Sequence, residues 1–136
     1  LRDRQYNSRF QALVISDDDG QTWTPWKRSV HSYPAHLLGL RDGRIFLTVG
    51  TRWAGQSGCL ARVLDPEGTE LETTPIQKTA PDLENGPDVI VQSDSSSHDC
   101  GYPWSVELED GRVLVVYWNH YPDNHRGIEG AVLAEQ

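Results

Sequence analysis

Methionine is absent from this 136-residue chain, and phenylalanine and cysteine each occur only twice. So few cysteines exclude a small fold built on a disulfide framework. Cys59 and Cys100 read as two semi-buried free thiols, with a single bridge as the alternative. Basic residues are also scarce: 12 Lys and Arg stand against 20 Asp and Glu, a net charge of −8. That deficit removes the basic face that nucleic acid requires, so no nucleic-acid partner is expected. It disfavours an anionic membrane surface equally, and no apolar run is long enough to span a bilayer, so no membrane insertion is expected. A few arginines can still gather into a local positive pocket, which leaves a small anionic ligand open. The chain has no Gly-rich phosphate loop, no nucleophilic-serine motif and no coenzyme fingerprint, so no cofactor is expected. Leu1 opens no signal peptide, and the chain reads as starting within a domain.

What the sequence does have is punctuation. It carries 12 Gly and 8 Pro among β-branched and aromatic residues, which predicts an all-β fold of short strands and tight turns. One octet stands out, Ser16-Asp17-Asp18-Asp19-Gly20-Gln21-Thr22-Trp23. It follows a strand-like run through Ile15 and fits a stapled hairpin turn. Asp18 is placed to accept turn N–H groups, Gly20 to supply a φ other residues resist, and Trp23 to cover the turn.

Two further segments resemble each other, one from His36 to Val49 and one from Trp104 to Tyr117. Each is an apolar strand, an Asp-Gly pair (Asp42-Gly43, Asp110-Gly111) and a second apolar strand. Asp-Gly between such runs predicts a hairpin with a type I′ turn. Leu64 to Leu71 retains only Gly68 of the octet pattern and reads as its degenerate copy. The chain then parses into residues 9–28 as the end of one four-stranded unit, 35–78 as a full unit, and 103–134 as most of another. Residues 79–101 form a polar connection with one strand at Asp88 to Gln92. Repeats of this size predict a propeller or solenoid, here about two and a quarter units of a longer chain.

The octet pattern S-x-D-x-G-x-T-W resembles the Asp-box, the bacterial neuraminidase repeat of sialidases and related β-propellers. The likeness extends over nearly the whole chain. Pro34, His36 to Leu40, Asp42 to Ile45, Gly50 and Arg52 match one family pattern. Asp99, Gly101 to Pro103, Ser105 to Leu108, Asp110 to Leu114 and Val116-Tyr117 match a later one. The resemblance implies a sialidase-type propeller of about six blades when complete. It also implies a secreted or periplasmic location and an exo-glycosidase for sialic acid or a related anionic sugar. In the box, Ser16, Asp18, Gly20, Thr22 and Trp23 are then structural.

The family's chemistry explains which residues to watch. The anomeric carbon of a sialoside carries a carboxylate, which would repel a carboxylate nucleophile. A Glu-activated Tyr serves instead, arginines clamp the carboxylate, and an Asp acts as general acid or base. Tyr102 matches the nucleophile, with Pro103 where the family usually has Ser. The alternative is a half-buried aromatic whose hydroxyl rests on a backbone carbonyl. Arg52 resembles a carboxylate-binding arginine, or else stacks on Trp53 at the surface. Arg62 reads as the partner of an acidic neighbour. His36 could contact sugar hydroxyls or hydrogen-bond within the packing of adjacent units. Asp99 could bind substrate or stabilise its turn. His120, Asp123 and His125 match no metal-ligand spacing, and neither does Asp17 to Asp19, so no metal is expected. The general acid, the activating Glu and further arginines are expected in the remaining blades of the same propeller. The competing reading is a non-catalytic Asp-box propeller that binds glycan or protein.

Overall fold

The computed structural model describes residues 12–25, 27–28, 34–53, 56–65 and 88–134. They form nine strands: β1 Ala12–Leu13, β2 Lys27–Arg28, β3 Ala35–Gly39, β4 Ile45–Trp53, β5 Gln56–Leu64, β6 Val89–Gln92, β7 Gly101–Glu107, β8 Val113–His120 and β9 Arg126–Leu133. No helix occurs among the described residues. The expected all-β class therefore holds. β1 and β2 pair as a hairpin, β3 to β6 form a four-stranded antiparallel meander, and β7 to β9 form a three-stranded one.

The fourth strand of the meander is not where the parse into residues 35–78 put it. It is Val89–Gln92, which the sequence reading set in a connecting segment. Residues 66–78, including most of the degenerate octet, lie outside the described residues. A Val-Ile-Val run of this length fits a short edge strand but does not name its partner, because pairing is a long-range choice.

The alternating strands explain the layering. Phe46, Cys59 and Ala61 on one face of the first sheet pack against Val113, Val115 and Tyr117 of the second. Leu47, Val49, Leu60 and Leu64 form a second buried cluster, drawn from the alternate residues of β4 and from β5. Each such side chain, once buried, contributes roughly 1.5–3 kcal/mol. β4 is buried on both faces from residue 46 to 51, as its near-continuous apolar sequence requires, whereas β8 is most deeply buried on alternate residues.

The Asp-Gly hairpins form, with a different turn from the one expected. Gly43 N–H donates to Leu40 O at 3.0 Å and Leu40 N–H donates to Arg44 O at 2.8 Å. The same pair of bonds joins Gly111 to Leu108 and Leu108 to Arg112. Only the glycines take positive φ, 92° at Gly43 and 83° at Gly111. These are three-residue loops, a type I turn closed by a left-handed residue, rather than two-residue type I′ turns. The loop between β8 and β9 repeats the geometry with Asn124 (φ 67°) in the glycine's place.

In the first hairpin the octet forms its staple. Asp18 accepts from Thr22 N–H at 2.8 Å and from Thr22 Oγ1 at 2.6 Å, and Ser16 Oγ donates to it at 2.8 Å. Gly20 N–H donates to Ser16 Oγ, and Trp23 Nε1 donates to Gly20 O at 3.1 Å, laying the indole over the turn. The Thr22 hydroxyl, then the Thr22 amide, then Ser16 hold the Asp18 carboxyl down at about 2.

Candidate functional site

The sheets have two ends. At one lie the β3–β4 and β7–β8 turns, where Arg41 N–H donates to Glu107 at 2.9 Å. At the other lie the ends of β4 and β8, the starts of β5 and β7, and the 93–100 connection between the sheets. Tyr102 and Arg52 meet at this second end.

The connection is pinned on both sides. Ser95 N–H donates to Ser57 O at 3.1 Å, and Ser96 N–H donates to His120 O at 2.8 Å. Asp99 N–H donates to Ser97 Oγ, and Asp99 O accepts from Trp118 Nε1 at 3.0 Å. The buried Cys100 thiol reaches the Thr51 carbonyl at 3.7 Å. The chain then passes flush against the first sheet. A methyl group on Gly101 would sit 2.8 Å from Gly50 Cα and 3.0 Å from Gly58 O, and Gly101 has a φ of 87°. Only glycine fits both demands.

Tyr102 continues the left-handed turn with a φ of 49°, a sterically costly state for a bulky residue and one followed here by Pro103. The cost is on the order of 1–3 kcal/mol. The β7–β8 register breaks between Gly101 and Trp104, and this bulge throws the Tyr102 ring outward. The residue is 57% exposed, and its ring centroid lies 5.4 Å from the Arg52 guanidinium carbon, in cation–π range. Its hydroxyl makes no hydrogen bond among the described residues. The half-buried aromatic with a tethered hydroxyl, the bland expectation, is not what the structure holds.

The other sequence candidates scatter around this pair. Asp99 stands exposed on the same rim, and its main chain pins the loop. His36 lies lower, between the sheets. Its Nδ1 accepts from Ser105 N–H at 3.2 Å and lies 2.8 Å from Ser105 Oγ, while its ring stacks on Trp104 at 4.2 Å. A backbone donor on Nδ1 assigns the proton to Nε2, and burial pushes the pKa of His36 down, so the ring is neutral. This is the packing role foreseen for His36 as one of two. Arg62 pairs with Asp88 through two bonds of 2.8 and 2.9 Å, as expected of a structural ion pair. His120, Asp123 and His125 are engaged within their loop: His125 N–H donates to Asp123, and His120 Nε2 meets Asn124 Oδ1.

Three features had no sequence signal. His98 Nδ1 lies 3.1 Å from the hydroxyl of buried Ser57. Trp118 anchors the loop before Tyr102. Glu129 accepts hydrogen bonds from Asn119 Nδ2 and the Tyr121 hydroxyl, with Tyr117 close enough to feel its charge. Burial first, and Glu129 second, push Tyr117 up to about 12, so this buried tyrosine stays neutral. Cys59 is likewise pushed to about 12, by burial and then by Cys100, and both cysteines are free, buried thiols. These two therefore match the first sequence reading. At the opposite end, a cavity of ≈ 390 Å3 opens between the sheets, lined by Leu40, Phe46, Val113 and Leu133. The arginines at its rim, Arg44 and Arg62, already hold Asp42 and Asp88, so it offers apolar surface rather than chemistry.

No protein-family model and no curated protein matches the chain. Among solved structures it is similar to the crystal structure of a protein of unknown function from Dyadobacter fermentans DSM 18053. The identity is 30% and the TM-score 0.75, over 93% of this chain and 32% of that one. The chain thus spans about a third of the length of the protein it resembles.

Proposed function

We propose that this chain is the later part of a sialidase-type β-propeller, an exo-glycosidase for terminal sialic acid or a related anionic sugar. The observation that carries the reading is Tyr102, exposed and held in a left-handed conformation with the Arg52 guanidinium beside its ring. Backbone strain of this kind gathers at sites where a side chain must be aimed.

In this proposal the two meanders are consecutive blades and the β1–β2 hairpin with its Asp-box closes the one before. The outer face of the second sheet, with Trp104, Val106, Ile128 and Val132 exposed, suits coverage by a further blade. A similar chain some three times longer is consistent with the remaining blades. Arg52 pairs with the substrate carboxylate through its planar fork. The Tyr102 hydroxyl gives its proton to a carboxylate base elsewhere in the protein and attacks the anomeric carbon, the leaving group departs with a proton from an acid elsewhere in the protein, and water later displaces the tyrosine oxygen to release the sugar. Asp99 accepts a hydrogen bond from a sugar hydroxyl. His36 lines the wall below the site rather than the site itself.

A non-catalytic glycan-binding propeller is the second reading. It is favoured by one observation: no carboxylate bonds the Tyr102 hydroxyl among the described residues. Exposed Tyr102 would then serve as a stacking platform for sugar. Hydrolysis of a fluorogenic sialoside by the full-length protein, beside its Tyr102→Phe variant, separates the two. The enzyme reading expects turnover that falls by about 100-fold or more in the variant. No turnover by the folded protein favours the binding reading.

A further inference from the structure

We propose that His98 is a ligand-contacting residue, a third wall beside Arg52 and Tyr102 that donates a hydrogen bond from Nε2 to a bound sugar acid. Ser57 is its positioning residue. The inference rests on the reading of this end as an anionic-sugar site and adds to it a donor that no sequence motif marked.

The sheet register brings the parts together. Arg52 and Ser57 are direct partners across β4 and β5, so their side chains rise from the same face with Cβ atoms about 4.5–5.5 Å apart. Tyr102 lies over the first and His98 over the second. The chain from 98 to 102 follows the same edge, since the Cys100 thiol reaches the Thr51 carbonyl, next to Arg52. The four side chains thus form one short row, Tyr102–Arg52–Ser57–His98.

The tether is built to aim the imidazole. Ser57 is buried, and its hydroxyl reaches Nδ1 of an exposed histidine 41 residues away. The loop leading to that histidine is pinned by main-chain bonds to β5 and to the end of β8. A hydrogen bond on one imidazole nitrogen sets which proton the other carries and where it points. In the tautomer in which Ser57 Oγ–H donates to Nδ1, the one this proposal assigns, the proton sits on Nε2, a nitrogen with no partner among the described residues. A donor oriented at the rim, next to a guanidinium, suits an anion that also carries hydroxyl groups, which is the chemistry of a sugar acid.

Calorimetric titration of the full-length protein with N-acetylneuraminic acid tests this. The expected results are binding by the wild type, about 10-fold weaker binding by His98→Ala with an unchanged unfolding midpoint, and about 3-fold weaker binding by Ser57→Ala in protein that remains folded. In the unmutated protein, the 15N resonance of His98 Nε2 should move on adding the sugar. Wild-type affinity in His98→Ala, with binding abolished in Arg52→Ala, would overturn the role of His98 and leave the site standing. An unmoved His98 resonance on a protein that binds the sugar would do the same. No binding by the folded wild type would overturn both.

Discussion

The two ends of the stacked sheets are held together differently. At the turn end, Asp42 and Asp110 serve their own loops, and Glu107 reaches across the sheets to the Arg41 amide. Asp42 binds the amide and guanidinium of Arg44, and Asp110 binds those of Arg112, two residues along the chain in both cases. At the other end the bonds span long stretches: Ser57 to His98, Ser96 to His120, Trp118 to Asp99. Bonds within a single loop form as the hairpin forms and say nothing about function. Those at the other end pin the 93–100 connection next to Tyr102, the one aromatic residue at positive φ among the described residues. At the turn end the long bonds join one sheet to the other, and at the opposite end they pin the loop that leads to Tyr102.

The comparison is most easily broken at Gly101. Gly101→Ala puts a methyl group against Gly50 and Gly58 at an unfavourable φ. The expected loss is about 2–4 kcal/mol, read from denaturant unfolding of the full-length protein. A neutral substitution would mean that the start of β7 does not lie flush against the first sheet. Tyr102→Gly comes next and has the opposite sign. Relieving the left-handed strain should raise stability by about 0.5–1 kcal/mol while abolishing the proposed activity. Tyr102→Phe should leave the unfolding midpoint unchanged, because its hydroxyl has no partner to lose; a lower midpoint would point to a structural tyrosine.

The Asp18 staple gives a pH test of the local kind. Its carboxyl lies at about 2 in the folded hairpin against an ordinary 3.8. Because the folded value is depressed, the stabilisation is fully present above pH 3.8 and is lost as pH falls through about 2. The Thr22 amide signal should titrate near pH 2, and a midpoint near 3.8 would show that the staple is not formed. The smallest effect is expected at the turn end. Asp42→Ala removes an exposed, self-contained contact and should shift neither the midpoint nor sugar binding.

Much of the fold could be read from the chain because it is written locally. The Asp-box lies within eight residues, and Thr22, Gly20 and Trp23 make the contacts its pattern implies. The hairpins were legible too, although Asp-Gly turned out to close a three-residue loop. The pair does not state whether the aspartate takes positive φ, and only the glycine does. Tyr102 and Arg52 were named through resemblance, but their meeting depends on how two sheets stack, which no local pattern encodes. The sequence allows His36 two roles because only the register against Ser105 decides between them. His98 and Ser57 went unseen for the same reason, as did the membership of Val89–Gln92 in the first sheet.

The most direct test is covalent trapping. A sialosyl fluoride with a second fluorine beside the anomeric carbon forms the glycosyl–enzyme bond readily and breaks it slowly. Peptide mapping of the treated full-length protein should place one sugar on the peptide carrying Tyr102, with no labelling in Tyr102→Phe. A sugar attached to another residue, or an unlabelled protein that still binds the unmodified sugar, would contradict the assignment of Tyr102 as nucleophile.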